Sequence, residues 1–185
     1  MNPARFLYRT RQFWQALGAP LPAEDLALAR RLLSPAQLAL FCRLQPAEQA
    51  HSLRVARDLL AQGEEHPDLL AAALLHDVGK SRFPLNLGER VLIVLVKAIC
   101  PRCLLRWGAP DPAEKSPGAS GQFGWRRPFV VAVAHPEWGA QLAGEAGASP
   151  LAVALIRRHQ DALPAADRTL EDRLLRSLQA VDDQN

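Results

Sequence analysis

The chain has 185 residues, of which 49% are hydrophobic and 22% charged, and its formal net charge is +3. These values are typical of one globular domain that builds its core without disulfides. A single Tyr leaves little material for a base-stacking surface, so no nucleic-acid partner is expected. Three cysteines and the lack of a secretory leader pattern predict a cytoplasmic setting. The longest apolar run, 91–96, is too short to span a bilayer.

Alanine and leucine dominate the chain and favour helix, while proline and glycine mark helix starts and ends. Ser34-Pro35 has the pattern of an N-cap followed by proline at the first helical position. Pro46 and Pro67 start helices in the same way. The first half therefore predicts a basic amphipathic helix at 4–17, which ends at Gly18, and four further helices at 24–33, 35–44, 46–63 and 67–79. The last of these places Gly79 in a left-handed C-cap conformation.

The second half predicts a further series of helices with one long loop. An apolar helix is expected at 88–99, interrupted by Pro101, and the stretch 109–124 is rich in Pro, Gly and Ser and predicts a surface loop. An ordered segment is predicted at 126–134. Further helices are predicted from His135-Pro136 to 145, from Ser149-Pro150 to 159, and from 167 or 169 to 182. No segment indicates a strand, so the predicted fold class is all-α, a helical bundle.

His76 and Asp77 stand at the end of an apolar helix, followed by Val78, Gly79 and Lys80. Burying ionisable groups without partners is costly, and a bound metal ion is a common compensation. The alternative is a core histidine that hydrogen-bonds a neighbour or a backbone carbonyl. Because apolar residues lie three, four and seven positions before His76, its side chain is expected to face the core.

The same helical phase selects further inward-facing candidates. His51, His159 and Asp182 lie in register with apolar residues on their own helices. Asp183 falls on the solvated side, and His66 is expected to be an exposed loop residue. Helical bundles build metal sites from such inward side chains. Nitrogen and oxygen ligands without thiolate suit Mn, Fe, Co, Ni or Zn, as one or two ions.

At this point the sequence resembles a known family. The order His51, His76-Asp77 and Asp182 is similar to the H…HD…D signature of the HD-domain metal-dependent phosphohydrolases. The HDIG and HD-GYP branch of that family shows the pattern HDxGK, HPxxG and HH, and the chain matches it with HDVGK at 76–80, HPEWGA at 135–140 and IRRHQ at 156–160. The resemblance implies an HD domain at 47–185, with an N-terminal helical extension at 1–46 and an insertion at about 83–124.

The resemblance also implies roles for individual residues. A first metal ion would be held by His51, His76, Asp77 and Asp182. A second would be held by His135 and His159, with Asp77 bridging the two ions. Lys80 matches a lysine that contacts the substrate phosphate or the bridging hydroxide, so Asp77 and Lys80 are the expected catalytic residues.

Two departures from the family pattern limit these expectations. Gln160 stands where the family has a second adjacent histidine, which leaves the number of metal ions open between one and two. There is no GYP motif, so hydrolysis of a cyclic dinucleotide is not expected.

The implied function is hydrolysis of a small-molecule phosphomonoester or phosphodiester, such as a nucleotide, by attack of a metal-activated hydroxide. Two alternatives remain open. The same fold hosts di-iron oxygenases, and an HD core can also be retained as a non-catalytic module that senses a metal or a nucleotide.

Several candidate residues also have ordinary structural interpretations. His135 next to a proline could cap a helix start, His159 could interact with the C-terminal end of its helix, and Lys80 could be an exposed lysine after a glycine C-cap. Cys100 and Cys103 have CxxC spacing, which elsewhere serves redox chemistry or half a zinc site. Without a second CxxC, an incidental pair is expected.

The segment 90–107 combines an apolar body with four basic residues. A core helix is the expectation for it. Peripheral contact with a membrane, contact with a partner, or a lid over the site are the alternatives.

Overall fold

A computed structural model describes residues 23–109, 123–163 and 166–185. Within these ranges the chain forms α-helices and two short 3₁₀ helices and has no strand, which confirms the predicted all-α fold. The predicted helix at 4–17 and most of the predicted loop at 109–124 lie outside the described residues. In chain order the helices are α1 (Ala23–Leu32), α2 (Pro35–Phe41), α3 (Pro46–Ala61), α4 (Pro67–Leu75), η1 (Val78–Arg82), α5 (Leu87–Ile99), α6 (Pro101–Gly108), η2 (Gly124–Arg126), α7 (Arg127–Glu145), α8 (Pro150–Arg158) and α9 (Leu170–Asp182).

Most helix starts follow the predicted capping pattern. Ser34 accepts a hydrogen bond from the backbone N–H of Gln37, whose side chain accepts one from the Ser34 backbone in return. Ser149 and Thr169 cap α8 and α9 through their hydroxyl oxygens. His66 is a half-buried N-cap of α4 rather than the exposed loop residue that was expected, since its Nδ1 accepts a hydrogen bond from the Asp68 backbone.

Helix α4 forms the centre of the bundle. Every residue from Leu69 to Leu75 is buried, which is possible only for a helix surrounded by other helices. It packs against α1, α2, α3, α8 and α9. The two chemically active residues that follow it, His76 and Asp77, therefore emerge from the core rather than from the surface.

Gly79 and His135 differ from their predicted local structures. The described glycines with positive φ are Gly63, Gly124 and Gly147, so the left-handed C-cap predicted for Gly79 is wrong. Gly79 instead lies within η1, where the chain passes directly against α7. The two predicted segments around His135 form one continuous helix, α7, with Pro136 inside it, so His135 does not cap a helix start.

Helices α5 and α6 form a hairpin with an exposed apolar surface. No residue of α5 is buried, which contradicts the expected core helix in this segment. The physical reason is that α5 packs against its neighbours along only one side, through α6 and α7. Cys100 and Cys103 at the junction of the two helices are joined in a disulfide, so the pair is not incidental, and Cys42 is free. No helix in the described ranges is long and apolar enough to cross a membrane.

Candidate metal centre

Six of the predicted side chains converge at one end of the bundle, in two groups of three. The first group contains His51 from α3, His76 from the end of α4 and Asp182 from the end of α9. His51 Nε2 lies 2.8 Å from Asp182 Oδ1, and His76 Nε2 lies 3.6 Å from the same oxygen. The three donor atoms all lie within 4.8 Å of one another, which a single ion can bridge.

The second group contains Asp77, His135 from α7 and His159 at the C-terminal end of α8. His135 Nε2 lies 3.3 Å from Asp77 Oδ1 and 3.3 Å from His159 Nε2. The other Asp77 oxygen, Oδ2, lies 3.7 Å from His76 Nε2 of the first group. Asp77 therefore faces both groups, in the position that a bridging carboxylate requires.

Backbone carbonyls fix the protonation of the three buried imidazoles. Nδ1 of His76 lies 2.9 Å from the Ala73 oxygen, and Nδ1 of His135 lies 3.0 Å from the Val131 oxygen. Nδ1 of His159 lies 2.7 Å from the carbonyl oxygen three residues before it. A carbonyl only accepts hydrogen bonds, so each Nδ1 must donate a proton to the backbone, and each ring directs its Nε2 toward the site. This arrangement orients metal-ligating histidines.

These Nε2 atoms need a cation. His76 is 1% exposed, and its Nε2 has no hydrogen-bond partner. The Nε2 atoms of His135 and His159 face each other, although with both Nδ1 atoms protonated neither has a proton to share, and the one nearby donor is the Gln160 amide at 3.4 Å from His135 Nε2. Buried polar atoms left in this condition are unfavourable, and an ion between them removes the penalty. The residues present therefore fit a divalent metal, with nitrogen and oxygen donors and no thiolate.

The electrostatics of the second group favour the metal-binding protonation states. Burial alone would raise the pKa of the Asp77 carboxyl, but Lys80, His76 and His135 together outweigh it and hold the pKa well below its usual range. Burial lowers the pKa of His135, and burial together with the charges of neighbouring histidines lowers the pKa of His159 to about 3. At neutral pH the carboxylate is ionised and both rings are neutral.

Lys80 and Gln160 complete the surroundings of the second group. Lys80 Nζ donates to Asp77 Oδ2 at 2.7 Å, so it is an ion-paired residue of the site rather than a free surface lysine. The side-chain amide nitrogen of Gln160 lies 3.4 Å from His135 Nε2. The residue that replaces the family's second histidine is therefore still in contact with the site.

A cavity of about 640 Å³ opens onto the two groups. Lys80, His135, His159 and Asp182 form part of its lining, and helices α5 and α6 supply another part. Its volume falls in the range of small-molecule sites. No sequence pattern indicated this cavity, because the packing of α5 and α6 beside the metal centre is a tertiary feature.

Arg90 is a second feature that the sequence analysis missed. It donates to Glu48 Oε1 at 2.8 Å and also hydrogen-bonds Gln45, and so ties the start of α5 to the start of α3 beside the cavity. The sequence suggested only a basic residue at the edge of an apolar segment. A long-range partner of this kind leaves no mark on local sequence periodicity.

Comparison with known proteins gives one match. The family model of the HD domain matches residues 49–99, which include His51, His76, Asp77 and Lys80. This match assigns residues 49–99 to the HD domain and confirms the family resemblance. The HD-domain family is of the metal-dependent hydrolase type. The HDIG or HD-GYP branch stays a prediction. No curated protein and no solved structure matches the chain.

Proposed function

We propose that this protein hydrolyses a small-molecule phosphate ester at a centre of two divalent metal ions. The observation that carries the proposal is the convergence of three buried Nε2 atoms, those of His76, His135 and His159, beside an ionised aspartate, with His76 Nε2 left without any hydrogen-bond partner. Such a set stabilises a cation, and the cavity beside it admits a substrate.

The two groups divide the ligands between the ions. His51, His76 and Asp182 would hold one ion, His135 and His159 the other, and Asp77 would contact both. Divalent ions at such a centre would lower the pKa of a bound water and polarise a phosphoryl oxygen.

The protein's own residues bind and orient the substrate. Lys80 lines the cavity and carries a positive charge next to Asp77, so its ammonium group is placed to donate a hydrogen bond to a phosphate oxygen. The hydrogen bonds from each Nδ1 to a backbone carbonyl keep the imidazoles in one orientation through the reaction. The low pKa of His159 makes it a ligand rather than a proton donor.

A test measures phosphate release from generic phosphomonoesters, and release of the alcohol from generic phosphodiesters, by protein loaded with Mn²⁺ or Co²⁺. We expect Asp77→Asn to lower kcat at least about 100-fold, since it removes the charge shared by both groups. Asp58→Asn is the matched control, because Asp58 is exposed on α3, and should retain full activity.

The expected result for Lys80→Met is a loss of about 10- to 100-fold with metal content retained, because the ammonium acts on the substrate rather than on the ions. Absence of hydrolysis of every ester, together with two bound irons and oxygen consumption, would contradict the proposal and favour the oxygenase alternative. Absence of hydrolysis with a tightly bound ligand would contradict it as well and favour the sensory module.

A further inference from the structure

The cavity at the metal centre has two chemically different kinds of lining. Polar side chains from α3, η1, α7, α9 and the turn after α8 line the cavity, and α5 adds the two cations Arg90 and Lys97. The aliphatic lining comes from α5 and α6, and its residues are Ile93, Val94, Leu104 and Leu105. A substrate that fills the cavity therefore meets charged groups together with an aliphatic wall, which on α5 lies between Arg90 and Lys97.

The aliphatic wall continues onto the outer surface of the α5–α6 hairpin. Val94 and Leu105 line the cavity although they are 65% and 62% exposed. Leu95 and Ile99 extend the same apolar character on α5, with 52% and 82% of their surfaces exposed. Exposed apolar side chains grouped on one hairpin in this way often mark a contact with an apolar ligand or partner.

The described lining lacks the aromatic side chains on which a nucleobase can stack. No Phe, Tyr or Trp is among the cavity-lining residues of the described ranges. Stacking of a base on an aromatic ring is worth about 1–3 kcal/mol, and sites for bases commonly use it. An aliphatic wall offers instead a non-directional surface that suits a hydrocarbon chain.

We propose that the substrate is an amphiphilic phosphate ester, whose phosphate binds at the metal centre and whose hydrocarbon part lies along Ile93, Val94, Leu104 and Leu105. This inference rests on the proposed function, since it names the substrate class of the same site. In the reaction a water oxygen forms a bond to phosphorus, the ester P–O bond breaks, and the water's proton ends on the leaving alkoxide. The products are phosphate and an apolar alcohol. The substrate's hydrocarbon chain is thus the group that occupies the apolar wall, because the wall lines the same cavity as the centre that takes the phosphate.

The test is a series of ethyl, butyl, hexyl and octyl phosphates, assayed with Mn²⁺-loaded protein at concentrations below those at which the esters form micelles. We expect kcat/KM to rise about two- to fourfold for each added methylene that enters the cavity. Binding of the matching alkylphosphonates, measured by calorimetry without turnover, should rise with the same slope.

Variants of the aliphatic wall test whether it causes the dependence of kcat/KM and binding on alkyl chain length. Val94→Asp and Leu105→Asp are expected to flatten the slope for both hydrolysis and phosphonate binding, and both residues are exposed enough that folding should survive. Leu95→Asp is the matched control, since Leu95 is similarly exposed on α5 but does not line the cavity, and it should keep the slope.

Three results would overturn the inference while leaving ester hydrolysis intact. These are a chain-length slope of zero, faster turnover of a nucleoside monophosphate than of octyl phosphate, or an unchanged slope in Val94→Asp. A dimer in sedimentation that Val94→Asp dissociates, combined with a zero slope, would assign the wall to a second copy of the chain. If no ester is hydrolysed, the proposed function fails, and equal binding of ethyl- and octylphosphonate would then overturn this inference separately.

Discussion

At the scale of single residues, the metal centre depends on a close contact between two glycines. A Cβ atom built on Gly79 would lie 2.0 Å from the His135 carbonyl oxygen and 2.7 Å from the Gly139 backbone nitrogen. Only glycine permits η1 to approach α7 this closely. The contact holds Asp77, two residues before Gly79, within reach of His135.

Replacement of Gly79 by alanine should therefore disturb both stability and the site. Because the clash is with backbone atoms, which cannot rotate away, we expect a loss of about 2–4 kcal/mol in the free energy of unfolding. Urea unfolding measures it. Gly144→Ala is the control, since the nearest atom to its added Cβ lies 3.8 Å away, and helix propensity should make that variant up to about 1 kcal/mol more stable. Equal effects in the two variants would refute the close-contact argument.

The identities of the site residues could be predicted from the sequence, but the reason for Gly79 could not. Helical phase alone placed His76 and Asp182 on inward faces, and the structure brings both into the first group. The helical phase of a side chain follows from local backbone geometry, so a single sequence is enough to predict it. The approach of Gly79 to α7 involves a partner more than 50 residues away, and the same glycine was equally consistent with a helix C-cap.

At the scale of elements, the α5–α6 hairpin is the part that sequence analysis located least well. The apolar helix predicted at 88–99 corresponds to α5, but Pro101 was interpreted as an interruption and α6 was not predicted as a separate helix. The position of α5 was not predicted either, because an apolar helix can lie in a core or line a ligand site, and periodicity does not separate the two. Ion pairs at the start of α5 help to hold this helix beside the cavity. Arg90 pairs with Glu48, and Glu89 pairs with Arg127.

Removal of Arg90 should loosen the hairpin. Glu48 is buried, so Arg90→Ala leaves its carboxylate without a counter-ion and with the Gln45 backbone N–H as a remaining donor, and is expected to cost about 1–3 kcal/mol in thermal or urea unfolding. The matched control is Arg157→Ala, which breaks a pair with Glu137 in which both side chains are exposed, and should cost less than about 1 kcal/mol. A larger effect at Arg157 would show that the Arg90 pair does not anchor α5.

The disulfide at the junction of α5 and α6 makes a simple prediction. Unfolded protein prepared without reductant should show one reactive thiol per chain, from Cys42, because Cys100 and Cys103 are joined. After reduction the count should rise to three. Titration with a thiol reagent measures both values, and Cys42→Ser should give none before reduction. Three thiols before reduction would rule out the disulfide.

At the scale of the whole molecule, the fold brings together donors that are far apart in sequence. His51 and Asp182 are 131 residues apart and yet in hydrogen-bond contact. The order of the motifs, compared with the family pattern, was enough to propose this set. The cavity beside it was not foreseen, because its lining comes from α3 and from the five helices α5 to α9, and no local pattern records how they assemble.

The most direct test of the account is the metal content of the protein purified without added metal and without chelator, measured by elemental analysis. We expect about two divalent ions per chain, and about 2.7 kcal/mol of extra stability over the chelated protein for each ion when free metal is 100 times its Kd. His76→Ala should lose at least one ion, whereas His66→Ala, at a histidine outside both groups, should lose none. Wild-type protein that binds no divalent ion, or a His76→Ala variant that keeps the full complement, would contradict the central claim.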